Sequence, residues 1–132
     1  MFGGVVNDNI VFPVLDLIRR EIRDKGVDFN GIPSVRLYRE HPLDDEIVTT
    51  ATLTYESGLI EEITLTRGSD DESTYPEGLK PKHPDYEFCR LWRLTQVGIT
   101  YVNKGGEPIG RYLIGLFYDK RGLLERTSVN RF

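Results

Sequence analysis

Leu43 to Glu62, LDDEIVTTATLTYESGLIEE, decides the fold, because it reads in two ways that lead to different architectures. Taken as a helix, Asp44, Asp45 and Glu46 fill a first turn, where carboxylates meet unpaired backbone amides and the positive end of the helix dipole. Pro42 suits the start of such a helix. Ile47, Ala51 and Thr54 or Tyr55 then fall on one face, and Gly58 supplies the left-handed residue that closes it. Taken as a strand, Ala51, Leu53 and Tyr55 alternate with Thr50, Thr52 and Thr54, and β-branched residues prefer a pleated surface. Local propensity favours the strand. On that reading Glu56-Ser57-Gly58 is a hairpin turn, and the protein is one helix packed on an antiparallel sheet of five or six strands.

Several short matches point the other way. Asp44-Asp45-Glu46-Ile47 with Leu53, Tyr55-Glu56-Ser57-Gly58-Leu59-Ile60-Glu61 and Arg93-Leu94-Thr95-Gln96-Val97-Gly98 resemble a family of short phage and prophage proteins. Asp16-Leu17-Ile18-Arg19 matches a further motif near that family's N-terminus. In that family these pieces belong to a winged helix-turn-helix. The resemblance therefore implies an α+β chain with a winged-helix domain over residues 1–103, a long wing loop, and a C-terminal extension over residues 104–132. Thr50 departs from the family's usual His and Thr54 from its usual Leu.

Working outward, Asn9 to Lys25 carries Val11, Val14, Leu15, Ile18 and Ile22 at helical spacing, with Asp16, Arg19, Arg20 and Arg23 on the other face. Pro13 is tolerated only near a helix start, and Gly26 ends the element. Val35 to Tyr38 alternates like a short strand after an Asn30-Gly31 turn, and Leu59 to Leu65 alternates again. Gly68 to Glu87 reads as a long loop, the tip of the wing, and Phe88 to Leu94 as its returning strand. Thr95 has the character of an N-cap for a short helix through Val102. The apolar run Ile109 to Tyr118 fits a helix on the core, a dimer face, or a strand in a hairpin turned at Asp119 to Gly122. The extension is expected to pack on the core or on a second subunit.

With 132 residues, 39% hydrophobic and 29% charged, the chain suits one globular domain that needs no metal or disulfide. A single cysteine, Cys89, fits a reducing cytoplasm, and no apolar run reaches the length that spans a bilayer. Cys89 has no base placed near it and reads as a packing residue. Zinc spacing, a phosphate-cradling glycine loop and a Ser-His-Asp order are missing from the sequence, and Asp70, Asp71 and Glu72 lack the alternation of a calcium loop. The expectation is a non-enzymatic module without cofactor or metal.

Charge is polarised along the chain. Glu40 to Glu87 holds thirteen acidic residues against three basic ones, while Lys104 to Phe132 holds six basic against three acidic. Duplex DNA repels carboxylates, so the expected partner is a protein with a basic surface, met by Asp44, Asp45, Glu46, Thr49, Thr52, Asp70, Asp71 and Glu72. The alternative is a DNA-binding regulator that uses Arg19, Arg20, Arg23, Lys120, Arg121, Arg126 and Arg131. A homodimer through the C-terminal segment is compatible with either.

Overall fold

The stretch that decides the fold is extended. In the computed structural model, which describes residues 2–43, 46–69 and 71–132, β1 (Ser34–Leu43), β2 (Glu46–Thr54), β3 (Ile60–Arg67), β4 (Leu94–Val102), β5 (Pro108–Tyr118) and β6 (Leu124–Arg131) form one antiparallel sheet. Its strand order follows the chain. Helix α1 (Phe2–Arg23) precedes the sheet and packs on one of its faces.

The winged helix-turn-helix is thereby overturned, and the chain takes the competing arrangement of one helix on an antiparallel sheet. Thr49, Thr50, Thr52 and Thr54 supply β-branched side chains, and the strand register sets Ala51 opposite Ile63 and Leu53 opposite Glu61. A helix would have scattered those partners around its circumference. Gly58 does adopt φ of 88°, but in the turn between β2 and β3, where its N–H donates to Tyr55 O. A left-handed glycine closes a hairpin as readily as a helix, so that signal could not separate the two.

Three further corrections follow the same logic. Leu94–Val102 is a strand, not a helix capped by Thr95, whose hydroxyl donates to Thr66 O across the ladder. Phe88–Trp92 is a π-helical turn, not the returning strand of a wing. It continues a short helix, α2 (Pro84–Glu87), whose N-cap His83 accepts from the Asp85 amide through Nδ1. The loop from residue 68 is thus a folded insertion, and Ile109 to Tyr118 is an inner strand flanked by β4 and β6. Residues 104–132 contribute two strands to the same sheet as residues 34–102.

The core lies between α1 and the sheet. Leu15, Ile18 and Ile22 pack against Val97, Ile99 and Tyr101 of β4 and Tyr112, Ile114 and Leu116 of β5. Each such side chain stabilises the fold by about 1.5 to 3 kcal/mol through its burial. Gly110 lets α1 come close to β5, since a Cβ there would lie 2.9 Å from Ile22 Cδ1. No helix of the described residues is long and apolar enough to cross a membrane.

Candidate binding surface

Alternation along the strands divides the sheet into two chemically different faces. On β4, Val97, Ile99 and Tyr101 are buried towards α1, while Gln96, Gly98 and Thr100 are only half-buried on the other side. The register carries this division across the sheet. Thr64 and Leu113 flank Gly98, and Glu62 and Arg111 flank Thr100. At the β2 end of this second face Val48 is buried, whereas its positions on β3 to β5 are half-buried or exposed.

A groove of about 390 Å³ opens on it, walled by Glu62, Thr64 and Thr66 on one side and by Arg111, Leu113 and Phe132 on the other. Its floor is low because of Gly98, where an added Cβ would meet nothing nearer than Thr64 at 3.8 Å. Beside it, Gly115 lets the Phe117 ring lie down on the sheet, since a Cβ at that position would come within 3.1 Å of the ring. Arg126 stacks on that ring with its guanidinium carbon 3.9 Å from the centroid, and Arg111 lies 5.8 Å from the Phe132 ring. Hydroxyls, an amide, charges of both signs and two exposed aromatic rings therefore share one open surface.

The covered face holds a buried ionic cluster instead. Glu61 is fully buried and accepts hydrogen bonds from Arg19 Nε (2.9 Å) and Nη2 (2.7 Å), Tyr55 OH (2.9 Å) and Tyr101 OH (2.6 Å). Burial pushes the Glu61 carboxyl up, but the Arg19 and tyrosine hydrogen bonds and the guanidinium charge outweigh it and hold the group below its ordinary value. Burial beside this anion pushes the Tyr55 phenol up to about 12 and raises Tyr101 further. Both oxygens are satisfied, so the cluster fixes α1 on the sheet and presents no free acid to solvent. Sequence reasoning placed Arg19 on the solvated side of α1 and did not single out Glu61. The signal was its alternation with Ile63 and Leu65, which points Glu61 to their face.

A second buried cation anchors the insertion between β3 and β4. Arg93 is 2% exposed, donates from Nη2 to Thr74 O (3.0 Å) and Oγ1 (3.1 Å), and lies 4.2 Å from the Tyr118 ring centroid. Cys89, also buried in the insertion, has its thiol pushed up by burial.

The residues expected to meet a basic partner do not share one face of the sheet. Asp44, Asp45 and Asp70 lie outside the described residues, and Glu46 opens β2. Thr49 and Thr52 point to opposite faces of β2: Thr49 is buried and accepts from Arg67 Nη1 at 2.8 Å, whereas Thr52 is on the open side. Asp71 caps a short turn, accepting from the Ser73 amide and hydroxyl, which lower its carboxyl pKa. Glu72 accepts from Tyr86 OH.

The residues expected to meet DNA are equally separated. Arg19 is committed to Glu61, Arg131 to Glu21 at 2.7 Å and Arg121 to Asp119 at 3.1 Å. Arg23 stacks on Phe29, Arg126 stacks on Phe117, and Arg20 and Lys120 are exposed. Among the described residues there is no group of three or more His, Cys, Asp or Glu side chains placed to hold a metal ion. No family model, no curated protein and no solved structure matches the chain.

Proposed function

We propose that this protein is a non-enzymatic recognition module that binds a protein partner on the open face of its sheet, along the groove between β3 and β5. The observation that carries this reading is the division of labour between the faces. The buried apolar positions of β4 and β5 turn towards α1, and the other side is lined by Thr64, Thr66, Gln96 and Thr100 around a bare glycine floor. Polar, partly buried surface with a few aromatic and arginine anchors is the composition of a protein contact.

A second reading is supported by the topology. The connection from Leu43 to Glu46 and the insertion that follows Arg67 lie at the same end of the sheet. Glu46 at the start of β2 and Asp71 and Glu72 after β3 are thus set at one end of the sheet, where a basic protein surface would be attracted. The DNA reading has less behind it, because ion pairs occupy Arg19, Arg121 and Arg131 and the chain carries net charge −4.

Affinity capture from host lysate with matched variants tests these readings. Thr64→Arg with Thr100→Arg is expected to abolish capture of the partner retained by the unaltered chain, with circular dichroism unchanged. Loss of capture with Asp71→Lys and Glu72→Lys, but not with the threonine variants, would move the site to the acidic end. Tight duplex binding that weakens steeply with salt would replace both readings with DNA recognition.

A further inference from the structure

The two edges of the sheet are not equivalent. In β1 the register with β2 directs the backbone groups of Leu37, Arg39, His41 and Leu43 into the ladder, so those of Tyr38, Glu40 and Pro42 face outward. Pro42 has no N–H to offer an incoming strand, and an irregularity between Val35 and Leu37 breaks the row further. Both are devices by which edge strands resist pairing.

In β6 the Phe132 amide donates to Arg111 O, and Arg131 stands opposite Tyr112. Strand geometry then turns the N–H and C=O groups of Asn130 and Ser128 towards β5, and those of Thr127, Val129 and Arg131 away from it. Among the described residues no strand pairs with that outward row. No proline interrupts it, and the only shift in the β5 ladder lies beyond it, between Phe117 and Tyr118.

We propose that β6 is a docking edge for a second copy of the chain, whose own β6 pairs with it antiparallel about a two-fold axis at Val129. An isologous contact requires the same surface on both sides, and this register supplies compatible neighbours throughout. Val129 faces Val129 of the other copy, and Ser128 faces Asn130, each with a group to donate and a group to accept. Thr127 faces Arg131, whose guanidinium is held back by Glu21. Arg126 faces Phe132, an aromatic ring that is 73% exposed, so the guanidinium already stacked on Phe117 would gain a second ring. No like charges stand opposite one another. The paired sheets are continuous, with an α1 over the same side of each half. The inference does not depend on what the open face binds.

Sedimentation velocity of the full chain over a hundredfold concentration range tests it. A reversible doubling of mass is expected. Val129→Pro removes one outward N–H without touching the β5 ladder, and it should shift the species to monomer by at least tenfold in concentration with circular dichroism retained. Ser128→Cys with Asn130→Cys should give a covalent dimer on mild oxidation, because those two positions face each other only in the proposed register. A monomer at every concentration would overturn the proposal. So would assemblies that grow beyond a dimer, which would indicate head-to-tail pairing of β6 with β1, or a dimer that survives Val129→Pro and resists cysteine cross-linking.

Discussion

The two faces of the sheet are built from the same strands, yet neighbouring residues on one strand have opposite tasks. Ile99 is 1% exposed and packs in the core under α1, while Thr100, the next residue, helps wall an open groove. The covered face includes a carboxylate that four donor groups satisfy. On the open face, the cations are instead stacked over Phe117 and Phe132. The comparison teaches that polar side chains stabilise this fold where they are buried and fully paired, and leave stability nearly untouched where they remain open to solvent.

The sharpest way to break that contrast is at Glu61. Replacing it with Gln strands the Arg19 guanidinium beside a neutral group, and equilibrium urea unfolding should show a loss of about 3 to 5 kcal/mol. Replacing Arg19 and Glu61 together with Leu should recover most of that loss, because no uncompensated charge remains. The same cluster sets the pH dependence. Glu61 is held below its ordinary value of 4.5, so its contribution is present above pH 4.5 and disappears as pH falls through the lower folded-state value. Tyr55 is held above its ordinary 10.0, so stability is intact below pH 10 and falls as pH rises towards about 12. Thermal melts across both ranges should show the acid limb flattened in the double Leu variant.

Smaller effects sharpen the comparison. Gly110→Ala pushes a Cβ against Ile22 on the covered face and should destabilise by about 1 to 3 kcal/mol in the same assay. Thr100→Ala on the open face should stay within about 0.5 kcal/mol of the unaltered chain.

Much of the fold was legible in local pattern. Leu15, Ile18 and Ile22 announced the buried stripe of α1, and Ile63 and Leu65 the inward face of β3. The alternation of Ala51 and Leu53 with threonines was equally plain, and it gave way to a likeness of short motifs that the three-dimensional structure does not follow. Such motifs carry no register. Glu46 reads as part of a helix start beside Asp44 and Asp45, yet it opens β2. Phe88 to Trp92 alternated like a strand, yet Pro84 at the start of a helix capped by His83 set its course. The candidate surface was less legible still. Nothing in one dimension shows that Thr64, Thr100 and Arg111 adjoin, since only the ladders from β3 to β5 bring them together.

The most direct test of the division between the faces sets Ile99→Lys beside Thr100→Lys, two consecutive residues with one replacement, each scored for urea midpoint and for capture of the partner. Ile99→Lys is expected to unfold the chain, whereas Thr100→Lys keeps its midpoint and loses the partner. A Thr100→Lys chain that captures its partner as well as the unaltered protein, or an Ile99→Lys chain that stays folded, would contradict the account.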